Sequence, residues 1–243
     1  YLSASSLLML LLPGLVKGKS SQAGLLLCGL SMIALLFTGG RAGLGGWLIG
    51  LLIIVALGNA QYRAAIISVA ILVSIFIYNF ADAIPIFKRD DLADAYAFRY
   101  AIWQDAFAIF LEYPFFGIGL GNYANYVSLH NPDQYWISDN EVTLYDHPES
   151  GYLKLLTEFG LIGFLVAMFF IVKPIHAGIV TYLKTKDLSL VVLVSALFTW
   201  MVGFYTVYSL GDIRIKLLII SIVCMLIAST RANFENSNTK EIV

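Results

Sequence analysis

Arg41, Arg99, His147 and Glu149 are the residues of this 243-residue chain whose types and positions suit chemistry on an anion. Arg99 interrupts an apolar stripe formed by Leu92, Tyr96, Trp103, Ala106 and Phe110, and its neighbours three and four positions away are Ala95, Tyr96, Ile102 and Trp103. Along its own helix it therefore has no carboxylate partner. A guanidinium so placed has two uses: it snorkels toward water, or it grips an outside anion with its planar fork. Arg41, in the small-residue stretch TGGRAGLGG, carries the same two readings. His147 and Glu149, in YDHPESGY, are the candidate proton acceptors. Their structural alternative is equally definite. Asp146 and Glu149 are spaced as a capping box, Pro148 suits a first helical turn, and an isolated histidine is commonly structural.

The elements that must hold these residues can be read from the same stretch. The recurrence of apolar residues every three or four positions predicts an amphipathic helix over about 90–113, ended by Pro114. Asp91, Asp94, Gln104, Asp105 and Glu112 fall on its polar side. So much aromatic surface suits a helix lying at a membrane interface or roofing a bundle. FFGIGLGNY follows, with glycines at 117, 119 and 121. Their spacing is not that of a dinucleotide site; they suit a tight positive-φ turn or a backbone nest for phosphate. After Glu149 a new helix re-enters an apolar region. It carries Glu158, an expensive residue at such depth that should face the protein interior, with Lys154 four positions earlier as its candidate partner. His130 and His176 read as solvated loop residues.

The chain as a whole explains that depth. It is 59% hydrophobic and only 13% charged, with a mean hydropathy of +0.81, which excludes a soluble globular domain. The expected fold is an all-α polytopic membrane protein of about seven transmembrane helices, with a large, partly helical outer loop between spans four and five. Apolar stretches of spanning length fall near 1–16, 22–38, 43–57, 62–80, 150–172, 188–210 and 213–229. Residues 1–80 thus hold spans one to four, 81–149 the loop, 150–229 spans five to seven, and 230–243 a polar tail expected to fray. The chain opens at Tyr1 in the middle of an apolar run, so the first span is expected to be truncated and earlier spans to precede it.

Loop charge orients this arrangement. Lys17, Lys19, Arg63, Lys173, Lys184, Lys186, Arg231 and Lys240 all fall on one side when spans alternate, which marks that side as cytoplasmic. The other side receives Arg41 and the long loop, where 11 of the 16 acidic residues lie between Asp82 and Glu149. Cys28 and Cys224 fall within spans and read as small buried hydrophobes. No metal, cofactor or nucleic-acid partner is expected.

Three patches taken in order resemble the O-antigen ligase and polysaccharide polymerase superfamily: TGGRAG, then RYAIWQDAFAIFLEYPFFGIGLGNY, then DHPESGYLKLLTEFGLIG. The resemblance runs from about Gly29 to Gly163. It implies a glycosyltransferase of the bacterial inner membrane with its site on the periplasmic face. The donor would be a glycan on undecaprenyl diphosphate, and the acceptor a hydroxyl of another glycan or of the lipid A core. It further implies that Arg41 and Arg99 bind the diphosphate and that His147 matches the family's outer-loop histidine. One departure leaves the base open between His147 and Glu149: many relatives carry the histidine three residues before the tyrosine, where this chain has Glu149. Polymerase is favoured over ligase by the His-Pro-Glu-Ser-Gly-Tyr form of the motif. A transporter or flippase of lipid-linked sugars is the competing reading. It would require ionisable residues deep in several spans and helices broken at the midplane.

Overall fold

In a computed structural model the described residues are 2–8, 20–38, 41–58, 92–130, 135–138, 141–144 and 147–241, with scattered helical positions between 63 and 79. The elements are α1 (Leu2–Leu8), α2 (Ser20–Phe37), α3 (Arg41–Leu57), α4 (Leu92–Glu112), α5 (Tyr123–His130), β1 (Tyr135–Ser138), β2 (Glu141–Leu144), α6 (Gly151–Thr185), α7 (Leu188–Thr206) and α8 (Ile213–Glu241). Helix dominates because apolar segments can satisfy their backbone groups internally. Among the described residues, three helices are long and apolar enough to cross a membrane: 151–185, 188–206 and 213–235. Shorter apolar helices cover 27–37 and 41–57. The expected first span reduces, among described residues, to α1, and most of the expected fourth lies outside them.

The chain divides into two compact units, one of Tyr1–Arg89, Ile171–Gly203 and Ile213–Val243, the other of Asp90–Phe170 and Phe204–Asp212. In the first unit α1 packs on α2 and α3, and α7 is its most enclosed helix, burying Leu190, Val192, Leu193, Ala196 and Leu197. Small residues let α3 approach α7 closely, a common device where apolar side chains gain little from leaving lipid. A side chain at Gly46 would meet the Thr199 carbonyl, and one at Gly50 would strike Leu7 and the Thr199 hydroxyl. A hydrogen bond then fixes the contact, the Thr199 hydroxyl donating to the Gly46 carbonyl at 2.9 Å, and the Trp47 indole ties α3 to α1 by donating to the Ser6 hydroxyl at 2.8 Å.

Two helices run further than their apolar content predicts. α6 continues through Lys173 and Pro174 to Thr185, so Lys173 and His176 sit on a helix rather than in a loop. α8 carries the tail expected to fray as far as Glu241. A side-chain anchor explains part of that extension: Asn233 donates to the Asp187 carboxylate at 2.8 Å. Asp187 also accepts from the Ser189 amide and hydroxyl at the start of α7. Burial pushes the Asp187 carboxyl up, but the bonds from Asn233 and Ser189 outweigh it and hold the group below its ordinary value.

In the second unit, α4 buries Ile102, Ala106 and Ile109. Ala106 and Ile109 share a core with Tyr123 and Val127 of α5, against which Ile118, Tyr126 and Leu153 pack. The buried stripe is rotated from the expected one: Ala106 is common to both, but Ile102 and Ile109 are buried where Trp103 and Phe110 are only half-buried. Apolar residues occur nearly all round this helix, so periodicity alone did not select the face. β1 and β2 pair antiparallel, with Tyr135 opposite Leu144 and Ser138 opposite Glu141. This hairpin was not anticipated.

Candidate functional site

Glu149 joins the chemistry of the second unit together. One of its carboxylate oxygens lies 3.8 Å from the Arg99 guanidinium, and the other lies 3.4 Å from Nε2 of His147. All three side chains are about a third exposed, at 37% for Arg99, 27% for Glu149 and 31% for His147. Arg99 comes from the middle of α4, whereas His147 and Glu149 come from the segment leading into α6. Three of the four sequence candidates thus meet within one unit. Arg41 is the first residue of α3, in the other unit.

Two expectations about this cluster need correction. Arg99 does have a carboxylate partner, supplied by a distant segment that helical spacing cannot reveal. And Glu149 does not lie in the first turn of the helix, because α6 starts at Gly151; Asp146, its expected capping partner, lies outside the described residues. Ser150 caps α6: its hydroxyl accepts the Leu153 amide at 3.5 Å and its carbonyl accepts the Lys154 amide at 3.0 Å. This is the usual geometry of an N-cap serine. Glu149, outside the helix, has φ +48°. A non-glycine residue with positive φ is sterically disfavoured, and strain of this kind collects at working sites.

Behind the cluster lies a buried ion pair. Lys154 Nζ is 2.8 Å from Glu158 Oε1, as the four-residue spacing suggested, and Glu158 is only 1% exposed. The same carboxylate oxygen accepts the Tyr123 amide at 3.4 Å. The ammonium lies 5.6 Å from the centre of the Tyr123 ring and 4.9 Å from that of Tyr208, within reach of cation–π attraction. Tyr208 stands 6.2 Å, ring to ring, from His147. Burial, and after it the Glu158 charge, raises the Tyr208 hydroxyl above its ordinary value. Tyr208 went unnoticed in the sequence, since nothing near Ser209 and Gly211 advertises a role at a site built from residues 99–158.

Removing the cation from this pair would leave a carboxylate buried without a counter-charge, which costs about 3 kcal/mol or more. Lys154→Ala is therefore expected to lower the thermal unfolding midpoint in detergent sharply. Adding Glu158→Gln should recover part of the loss, and strictly additive effects in that double-mutant cycle would contradict the coupling.

The glycines of the Gly-Ile-Gly turn have φ values of +67°, +94° and +75° at 117, 119 and 121. Their turn docks on an interruption in α6, where Gly160 has φ +65° and ψ −171°. A break exposes carbonyls on one side and amides on the other, and the segment 114–119 takes up both. Ile118 and Gly119 donate to the Thr157 and Glu158 carbonyls at 2.9 Å, while Leu161 and Ile162 donate to the carbonyls of Pro114 and Phe115 at 2.7 and 3.3 Å. These bonds hold the loop after α4 in fixed register with the start of α6. Arg99 lies on the helix that leads into that loop, and Glu149 just ahead of α6.

Two donors near this framework are buried with no hydrogen-bond partner among the described residues, the Trp103 indole and the Tyr123 hydroxyl. Burial, with Asp105 as the second cause, pushes the Tyr123 hydroxyl well above its ordinary value. His130, expected in a loop, ends α5 and stacks on Tyr126 with ring centres 4.1 Å apart. Among the described residues, no group of three or more His, Cys, Asp and Glu side chains is arranged to hold a metal ion.

Comparison with known protein families finds a match over residues 25–168, more than half of the chain, to the model of the O-antigen ligase family. A search of curated proteins finds no match. The matched range contains Arg41, Arg99, His147, Glu149, Lys154 and Glu158.

Proposed function

Because this chain belongs to the O-antigen ligase family, we propose that it transfers a glycan from undecaprenyl diphosphate to a sugar hydroxyl on the outer face of a bacterial inner membrane. The observation that carries this reading is the cluster itself: the Arg99 guanidinium and the His147 imidazole each lie within 4 Å of the Glu149 carboxylate. Lipid diphosphate is a good leaving group. The protein has no need to protonate it, only to stabilise the negative charge that grows on it, and fixed cations in a partly desolvated site do so efficiently. Arg99 takes that part, and the family resemblance assigns Arg41 to the diphosphate as well. The acceptor hydroxyl loses its proton to Glu149 or His147 as it attacks. A single displacement inverts the anomeric carbon.

The wider arrangement follows the same reading. Seven spans cross the membrane, and the 81–149 segment lies outside it with α4 at the interface. Exposed Phe115, Phe116 and Leu120 beside the Gly-Ile-Gly turn suit contact with lipid. The aromatic residues Tyr126, Tyr135 and Trp136 supply stacking and hydrogen-bonding groups for the glycan, whereas Tyr123 is fully buried and takes no part. Elongation of a growing polymer is favoured over ligation to lipid A core by the His-Pro-Glu-Ser-Gly-Tyr sequence. A carrier of lipid-linked sugars would leave broken helix ends free to line a substrate path. α6 is indeed interrupted, but the amides of Leu161 and Ile162 and the carbonyls of Thr157 and Glu158 are engaged by residues 114–119. That favours an enzyme.

The lipid-linked glycans of a deletion strain test the assignment. A polymerase leaves single repeat units on the carrier when deleted. A ligase leaves full-length chains there. An unchanged pattern, with reconstituted protein moving labelled lipid across vesicles and forming no glycosidic bond, would refute both.

A further inference from the structure

The reading above leaves the base open and gives Arg99 an occupation that its ion pair with Glu149 already partly fills. We propose that these two facts are one device: Glu149 is the general base, and its pairing with Arg99 holds it in check until the donor diphosphate takes the guanidinium away. The proposal rests on the assignment of Arg99 to the diphosphate.

Three features of the site argue for it. The first is that Ser150 supplies the cap of α6, while the backbone of Glu149 beside it is kept at φ +48°. The second is the division of its carboxylate, with one oxygen toward Arg99 and the other toward His147. The third is the strength of the pair. At 3.8 Å, with both side chains about a third exposed, it is the kind of ion pair that solvent leaves weak. A diphosphate offers more negative charge and bidentate oxygens to the same fork, so exchange of partners is favourable. A carboxylate that shares its charge with a guanidinium accepts a proton less readily than one released from it. Donor binding and base activation are thereby the same event.

The chemical step then balances simply. The acceptor oxygen forms its bond to the anomeric carbon as the bond from that carbon to the phosphate oxygen breaks. The electron pair leaves on the diphosphate, held by Arg99. The hydroxyl proton passes to the freed Glu149 carboxylate, with His147 beside it to keep the carboxylate aimed. Before the donor arrives there is nothing to attack, and this arrangement provides a strong base only once there is.

Competition for one guanidinium makes an unusual prediction, that removing the base tightens donor binding. Affinity of the full chain in lipid nanodiscs for undecaprenyl diphosphate is the measurement. Glu149→Gln removes the competing charge while keeping the shape of the side chain, and its Kd should fall about two- to fivefold, the scale of an exposed ion pair. Transfer should fall by about a hundredfold or more in the same variant. Glu149→Asp, which keeps the charge, should not bind more tightly than the natural protein. With Arg99→Ala the binding should weaken, and Glu149→Gln added to it should no longer tighten anything. Unchanged or weaker binding by Glu149→Gln, with Arg99→Ala still weakened, would overturn the gate and leave the diphosphate assignment standing. Natural affinity in Arg99→Ala would overturn both.

Discussion

Arg99→Ala is expected to lower glycosyl transfer by the purified protein about a hundred- to a thousandfold, with little change in its thermal stability. The size follows from the role: a fixed donor aimed at charge that develops in the transition state is worth about that much when deleted. The split between activity and stability follows from the surroundings, because an ion pair as exposed as Arg99 with Glu149 contributes no more than about 1 kcal/mol to folding. Arg99→Lys should fall between the natural protein and the alanine variant, since an ammonium keeps the charge and loses the planar fork. Transfer rates and unfolding midpoints measured on the same preparations check both halves. Full activity in the alanine variant would remove Arg99 from the mechanism.

Gly160→Ala is expected to destabilise the protein by about 4 kcal/mol or more, enough to abolish accumulation of folded protein in the membrane. Two costs combine. With φ +65° and ψ −171°, Gly160 occupies backbone space that is essentially reserved for glycine, at roughly 1–3 kcal/mol for another residue. A methyl group there would also run into the backbone of Phe115 and Phe116. Moving that backbone breaks the bonds from Leu161 and Ile162 to the carbonyls of Pro114 and Phe115. Gly117→Ala should fail for the mirror-image reason, since its side chain would meet Thr157 and Glu158 at about 2.5 Å with φ at +67°. Gly29, with open space around it, is the control position, and Gly29→Ala should be tolerated. Detergent-solubilised yield and size-exclusion profiles distinguish these outcomes. A well-behaved Gly160→Ala protein would show that the break in α6 is incidental.

Much of the framework was legible in residue types. A stripe of apolar side chains ended by Pro114 specified α4 to within two residues of its observed limits. Glycines at 117, 119 and 121 announced a turn that other residues could not make, and all three have positive φ. Lys154 and Glu158 announced their own ion pair, because four positions on a helix is one turn. The span expected from 150 matches the start of α6 to within a residue, but the capping-box alternative placed that start a turn too early, for an instructive reason. Asp146-His147-Pro148-Glu149 has the composition of a helix N-terminus, yet Ser150-Gly151 offered a competing cap one turn later, and local preference does not decide between two adequate signals. The face buried by α4 was misread likewise, since Trp103 and Phe110 look no more deserving of burial than Ile102 and Ile109.

The sequence by itself determined what must lie in an apolar environment, where helices run, and where the backbone must bend, because those properties depend on neighbours a few residues apart. Only the tertiary structure decided that Arg99 faces Glu149 and that residues 114–119 heal the break at Gly160. Each of those joins segments far apart along the chain. Which distant groups meet is set by how whole elements pack and exchange backbone hydrogen bonds, and no local spacing records that.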